Sequence, residues 1–259
     1  MSLTQVIKEC FGKNFSFYPA LQGRAAERML LQGTLEAGLL TSGDCIASNR
    51  PFDTTKGHIS ALGLHVEALT PLANPDQYIH SNNVFLGNIV EDTFSAAMCQ
   101  DLRYRLAQFP HTIPRFEPQF SLVFLPRMLL MTLTDNGSGG QPVAMANFKF
   151  LAKEAREAGL FVWVDACRIF ENALFIKAFE EGYEGTTITD IVREILSLAD
   201  FCTVSFKKMH SHAGGGILVN RDSHSLPALA LAALDKSIKR QGGNSILGCC
   251  ANPDVSSLD

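Results

Sequence analysis

The sequence lacks an excess of basic residues: 22 lysines and arginines stand against 26 aspartates and glutamates, a net charge of −4. That balance gives no bulk electrostatic reason to expect nucleic acid or an anionic membrane as a partner. A long apolar run is missing too. The longest, Phe120 to Thr134, is interrupted by Pro126 and Arg127 and is too short to span a bilayer. The opening Met1-Ser2-Leu3-Thr4-Gln5 has neither the charged start nor the apolar stretch of a signal peptide. No G-x-G-x-x-G follows a strand-like segment, which argues against a nicotinamide-binding domain. Repeats and low-complexity tracts are absent. Seven cysteines, an odd number without regular spacing, fit a reducing compartment better than a disulfide framework. The expectation is a soluble, cytoplasmic protein.

What is present is enough for one large core or two modest ones. The chain has 259 residues, 46% of them hydrophobic and 19% charged. Strand-like and helix-like patterns alternate, which predicts an α/β architecture with a mostly parallel sheet. Helices are expected over Gln22–Leu40, Ile89–Phe109 (Phe94, Met98, Leu102 and Leu106 recur every four residues), Phe148–Ala158, Arg168–Phe179 and Thr187–Ala199. Strands are expected over Asp44–Ser48, His65–Thr70, Leu129–Thr134, Phe161–Asp165, Phe201–Phe206 and Ile217–Asn220, the last preceded by a turn at Gly214-Gly215-Gly216. The prolines between Pro110 and Arg127 break regular structure, so 110–127 reads as a loop insertion. The stretch from Gln241 onward, rich in Gly, Cys and Ser, does not look like the end of a packed domain.

Two strands end in functional groups. Phe161-Val162-Trp163-Val164-Asp165 delivers a carboxylate, with Arg168 three residues on, and Phe201-Cys202-Thr203-Val204-Ser205-Phe206 runs into Lys207-Lys208. Ligands of open parallel sheets sit outside the carboxyl ends of the strands. A charge at the end of a buried strand is costly unless a ligand uses it. An amine for an aldehyde and a carboxylate for a pyridinium nitrogen together fit pyridoxal phosphate. Gln22-Gly23-Arg24 opens a helix, where free N–H groups, the dipole and the Arg24 fork favour a phosphate. Ser205, three residues before Lys208, is in reach of the same phosphate. Phe52 offers an aromatic face after a strand, and Asn136 begins the glycine-rich loop Asn136-Gly137-Ser138-Gly139-Gly140-Gln141-Pro142.

These residues resemble a known family, the β-eliminating lyases, whose members include tryptophanase and tyrosine phenol-lyase. The matching blocks are Gln22-Gly23-Arg24-Ala25-Ala26-Glu27, Ser48-Asn49 with Phe52-Asp53-Thr54-Thr55-Lys56-Gly57-His58, Gly139 to Asn147, Asp165-Ala166-Cys167-Arg168 with Glu171 to Lys177, and Ser205-Phe206-Lys207-Lys208. The Phe52–His58 block is more tryptophanase-like. The resemblance implies a three-layer pyridoxal-phosphate-transferase-like large domain over residues 1–259, with the family's small C-terminal domain absent. It implies a lyase that removes the α-proton of an aromatic amino acid and eliminates the β-substituent. Lys208 would condense with the cofactor aldehyde and shuttle the α-proton, and Asp165 would keep the ring nitrogen protonated. Arg168 and Asn136 would hydrogen-bond the cofactor's phenolic oxygen, and Phe52 would stack on its ring. Gln22, Gly23, Arg24 and Ser205 would hold the phosphate, with Lys207 in support. A homo-oligomer, dimer or tetramer, is implied as well, as is exposed apolar surface where the family's small domain would pack.

The chain also departs from the family. An N-terminal segment bearing a tyrosine for the neighbouring active site, and the C-terminal arginine for the substrate carboxylate, have no counterpart. Met209-His210-Ser211-His212-Ala213 replaces a stretch that helps the family bind a monovalent cation, which puts that site in question. His210-x-His212 lacks a third ligand at recognisable spacing, so no metal site is expected. Two alternatives stay open: a truncated, catalytically impaired relative that only binds the cofactor or keeps the fold, and a carbon–carbon lyase of threonine-aldolase type.

Overall fold

The computed structural model describes residues 3–69, 84–95, 98, 126–135, 137, 139–209, 214–223 and 225–250. The elements run α1 (Leu3–Phe11), β1 (Phe15–Ala20), α2 (Gly23–Glu36), β2 (Cys45–Ser48), α3 (Asp53–Ala61), β3 (His65–Ala68), β4 (Pro126–Thr132), α4 (Met145–Glu157), β5 (Phe161–Asp165), α5 (Ile169–Phe179), α6 (Ile188–Ser197), β6 (Phe201–Ser205), β7 (Gly215–Asn220) and α7 (Ala228–Cys250). The strands form one seven-stranded sheet in the order β1-β7-β6-β5-β4-β2-β3. β7 alone runs against its neighbours; β6, β5, β4, β2 and β3 pair in parallel. The α/β class with a mostly parallel sheet is therefore as expected.

Both faces of the sheet are covered, so the central strands read as continuous apolar runs rather than alternating ones. Leu129 and Met131 of β4 point to a core shared with α1, α4, α5 and α6. Met128 and Leu130 point to the opposite core, with α2, α3 and α7. Trp163 is wholly buried in that second core, and its indole N–H donates to Thr203 Oγ1 at 3.0 Å. Among the described residues no helix is long and apolar enough to cross a membrane.

Several expectations shift at their edges. β4 begins at Pro126, inside the stretch read as loop, because a proline is tolerated at the first residue of a strand and here faces Cys45 at a register irregularity. Gly215 and Gly216 belong to β7 rather than to a turn. A methyl on Gly215 would lie 2.7 Å from the Gly23 nitrogen and 2.6 Å from the Val204 carbonyl, so the strand can approach α2 only without a side chain. Asp53–Ala61, to which the sequence reading assigned no element, forms a helix directly after Phe52. α7 continues to Cys250, through the Gly- and Cys-rich stretch, and packs its Leu234 and Ile238 over Gly33 of α2. Helical residues 91–95 and 98 bury Phe94 and Met98 as the spacing predicts; the rest of that expected helix lies outside the described residues.

Buried amides fix the loops that end the strands. Asn49, just past β2, donates to the carbonyls of Gly87 (3.2 Å) and Thr132 (3.0 Å) and accepts from the Thr132 N–H (2.9 Å). Asn172 closes the same kind of two-way bridge on Val143. Asn49→Ala leaves several backbone groups without partners in a dry interior. We expect a loss of about 3 kcal/mol, read as a lower urea midpoint.

Candidate active site

The carboxyl ends of four neighbouring parallel strands present Ser48, Thr132, Asp165 and Ser205 along one rim of the sheet. Beyond β4 and β5 the ladder continues: the Leu133 N–H donates to the Asp165 carbonyl (3.0 Å), and the Arg168 N–H to the Leu133 carbonyl (3.1 Å). This extension seats the start of α5 beside Thr134. Above the rim lies a cavity of about 260 Å³. Its walls bring together Gln22, Gly23, Arg24, Phe52, Asp165, Arg168, Ser205, Lys207 and Lys208, residues drawn from four separate segments. Asn136, also a candidate, lies outside the described residues, as do His210 and His212.

The start of α2 forms one wall. Its N-cap, Gln22, is extended and makes no side-chain cap bond, and the first intrahelical bonds run from the N–H groups of Ala25 and Ala26 to the Gln22 carbonyl. The N–H groups of Gly23 and Arg24 are left for an external acceptor. Gly23 is there for closeness: a methyl on it would sit 2.8 Å from Cβ and 3.3 Å from Oγ of Ser205. Gly23→Ala is therefore expected to cost about 1–3 kcal/mol of stability by overpacking. It should also weaken capture of a phosphate-bearing ligand at least about tenfold, which dialysis against the ligand would measure.

Asp165 lies at the floor. It is 4% exposed, and its Oδ1 accepts the Cys167 N–H at 3.1 Å. Burial pushes its carboxyl above the usual range; hydrogen bonds from Cys167 and the charges of Lys208 and Arg168 pull the other way. The Cys167 thiol is held well above its usual value, by burial first and then by Asp165. The two lysines follow β6 in a short 3-10 turn, Phe206–Lys208, at the exposed mouth.

Some of the lining was not among the candidate site residues. Thr54, Thr132, Leu133, Thr134, Cys167 and Glu27 all face the cavity. Thr132 carries a buried hydroxyl with no partner. Glu27 is 3% exposed and hydrogen-bonded by Thr54 Oγ1 at 3.3 Å. Burial first, and then the Asp165 charge, push its carboxyl up to about 7, against hydroxyl hydrogen bonds and Arg24. Cys167 and Glu27 both sat inside blocks singled out in the sequence; only the packing showed that they face inward.

Four cationic side chains and two carboxyls line the cavity, which favours an anionic ligand. Pyridoxal phosphate fits what is there. A backbone cradle that a Cβ would fill suits its phosphate. A carboxyl held above its normal range by burial suits a protonated ring nitrogen, whose charge would favour its ionised form. An amine at the mouth suits its aldehyde. Among the described residues no group of three or more His, Cys, Asp or Glu is placed to hold a metal ion.

The sequence model of a family described as Beta-eliminating lyase matches residues 1–244. The tryptophanase of Hyphomonas neptunium is 34% identical over 226 residues, covering 87% of this chain and 44% of that protein. A tyrosine phenol-lyase of Symbiobacterium is 31% identical over 224 residues, covering 85% and 42%. The chain thus spans less than half the length of these relatives. Among solved structures, the threonine aldolase of Leishmania major aligns with a TM-score of 0.54 at 14% identity, over 94% of this chain and 60% of that one. An aromatic-amino-acid aminotransferase of Burkholderia pseudomallei, covalently bound to pyridoxal phosphate, aligns with a TM-score of 0.53 at 14% identity, over 98% and 58%. At such identities these structures share the fold.

Proposed function

The chain belongs to the β-eliminating lyase family, and from that premise we propose that it forms the cofactor-binding part of a pyridoxal-phosphate lyase acting on an aromatic amino acid. The observation that supports this most is the convergence in one cavity of an amine (Lys208), a buried carboxyl (Asp165) and an uncapped helix start (Gly23, Arg24). Bound pyridoxal phosphate supplies an electron sink for the carbanion left when the Cα–H bond of an amino acid breaks.

The chain's own residues do the rest. Gln22, Gly23, Arg24 and Ser205 bind the phosphate and fix the ring's position. Asp165 holds a proton on the ring nitrogen, where positive charge strengthens the sink. Phe52 covers one face of the ring and excludes water from it. Arg168, with Asn136, donates to the phenolic oxygen. Lys208 Nζ would hold the cofactor through its aldehyde, and the same amine would accept the α-proton of the substrate. Lys207 supports the phosphate side. The finer assignment is a tryptophanase-like β-elimination in a homo-oligomer.

The test is direct. Purified chain mixed with pyridoxal phosphate is expected to develop a visible absorption band, and tryptophan then to yield indole, pyruvate and ammonia. Glycine and acetaldehyde from threonine would favour the aldolase reading. A band without any product would restrict the function to cofactor binding, and no band would overturn the proposal.

A further inference from the structure

One buried acid in the cavity has no part in the scheme above. Glu27 stands one helical turn beyond Gly23 on α2, so the two share a face, and that face is turned into the cavity. Its carboxyl is as deeply buried as that of Asp165 on β5. It also reaches α3, where Thr54 Oγ1 donates to Oε2 two residues after Phe52. Glu27 therefore shares one cavity with the phosphate cradle and the floor carboxyl, and is hydrogen-bonded to the helix that follows the aromatic ring.

We propose that Glu27 is a proton-bearing gate on the cofactor site: protonated, it admits a phosphate dianion at the start of α2 and leaves Asp165 free to ionise, whereas ionised it opposes both. The inference rests on the cofactor reading above. Its physical basis is that two carboxyls buried on one cavity do not both ionise cheaply. Only one of them is needed as an anion, the one that faces the ring nitrogen. The second must keep its proton for that to happen, and a neutral acid can still accept the Thr54 hydrogen bond that ties α3 to α2. An anion one turn from the phosphate would also offset part of the attraction that the helix start provides.

The groups facing Glu27 come from every wall. Arg24 is on its own helix, Asp165 and the Cys167 thiol lie on and just after β5, Arg168 opens α5, and Lys207 and Lys208 stand at the mouth. Burial and Arg28 hold the His58 imidazole on α3 below its usual value. The Cys167 thiol, held well above its usual value, does not ionise in the neutral range. Glu27, at about 7, is the group poised to change charge. The sign follows. An acid whose proton is required for binding gives full affinity below its pKa and loses it above. Between about pH 6 and about pH 8, a group titrating near 7 lowers affinity about tenfold.

The probe is pyridoxamine 5′-phosphate, which has no aldehyde and so reports the non-covalent site without condensation at Lys208. Its dissociation constant would be measured by calorimetry on the wild-type chain and on Glu27→Gln, from about pH 6 to about pH 8. Running each pH in buffers of different ionisation enthalpy gives the protons taken up on binding. We expect the wild type to weaken about tenfold more than Glu27→Gln across this range, and to take up a proton on binding near the upper end that the variant does not. Titration of the ligand phosphate is common to both proteins and cancels. Asp165→Asn is the second variant. Removing the neighbouring charge lets Glu27 ionise more readily, so the pH at which affinity falls should move down. Parallel pH profiles in wild type and Glu27→Gln, or no movement in Asp165→Asn, would overturn the gate and leave the cofactor site standing. Absence of binding at every pH would overturn the cofactor reading and the gate with it.

Discussion

Replacing Lys208 with alanine is expected to remove the visible band with pyridoxal phosphate and to lower turnover of an aromatic amino acid by about 10⁴-fold or more. The size follows from the two duties placed on one nitrogen. In the proposed function Nζ is the covalent anchor of the cofactor, and as the proposed base at the α-carbon it would contribute on the order of 10²–10⁴-fold by itself. Loss of the anchor adds misplacement of the ring, to which reaction rates are steep. The fold should survive, because Lys208 is exposed at the end of a short turn and carries no core packing. Its neighbour provides the control. Lys207→Ala, one residue earlier in the same turn, should keep the band with weaker retention of the cofactor. Borohydride reduction followed by peptide mapping identifies the modified lysine. A label on Lys207 in the wild type, or a band that persists in Lys208→Ala, would contradict the assignment.

Asp165→Asn is expected to lower turnover on the order of 10²–10³-fold at saturating cofactor, with the band retained. The amide has almost the same shape but cannot hold a proton on the ring nitrogen, and loss of one preorganised electrostatic partner has about this cost. The same change should stabilise the chain when no cofactor is bound. The folded carboxyl lies above its ordinary value because burial disfavours the charge. A carboxyl raised in the folded state costs stability once the pH exceeds its unfolded value, and the cost grows until the pH passes the folded value. At neutral pH, then, the neutral amide removes a burden. A higher urea midpoint together with a lower kcat would show that Asp165 is kept for function at the expense of stability. A lower midpoint would mean that Asp165 acts chiefly as a structural acceptor for Cys167.

Much of this site was legible because each piece is local. Asp165 and Lys208 follow apolar runs that can only be buried strands, and ligand sites in such sheets gather at strand ends. Gly23 opens a helix directly after Gln22, a phosphate signature that needs no tertiary information. β1, by contrast, was missed. Its Pro19 sits in an edge strand that is completed only by antiparallel pairing with β7. α7 was obscured by the glycines and cysteines of its far half, although its first half packs on α2.

Glu27 marks the boundary between the two kinds of information. In sequence it is an ordinary acidic residue on a helix, most simply placed in solvent. It becomes a buried acid only because α2 packs on β6 and β7, with Gly215 and Gly23 permitting an approach too close for side chains. The amino-acid sequence by itself determined the α/β class, the family and the local groups proposed to hold a cofactor, since these depend on periodicity and on neighbours along the chain. Only the tertiary structure decided which of those groups share one cavity and which carboxyls are buried there. Burial and charge–charge energies depend on distances between segments far apart in the chain, and no spacing in the sequence encodes them.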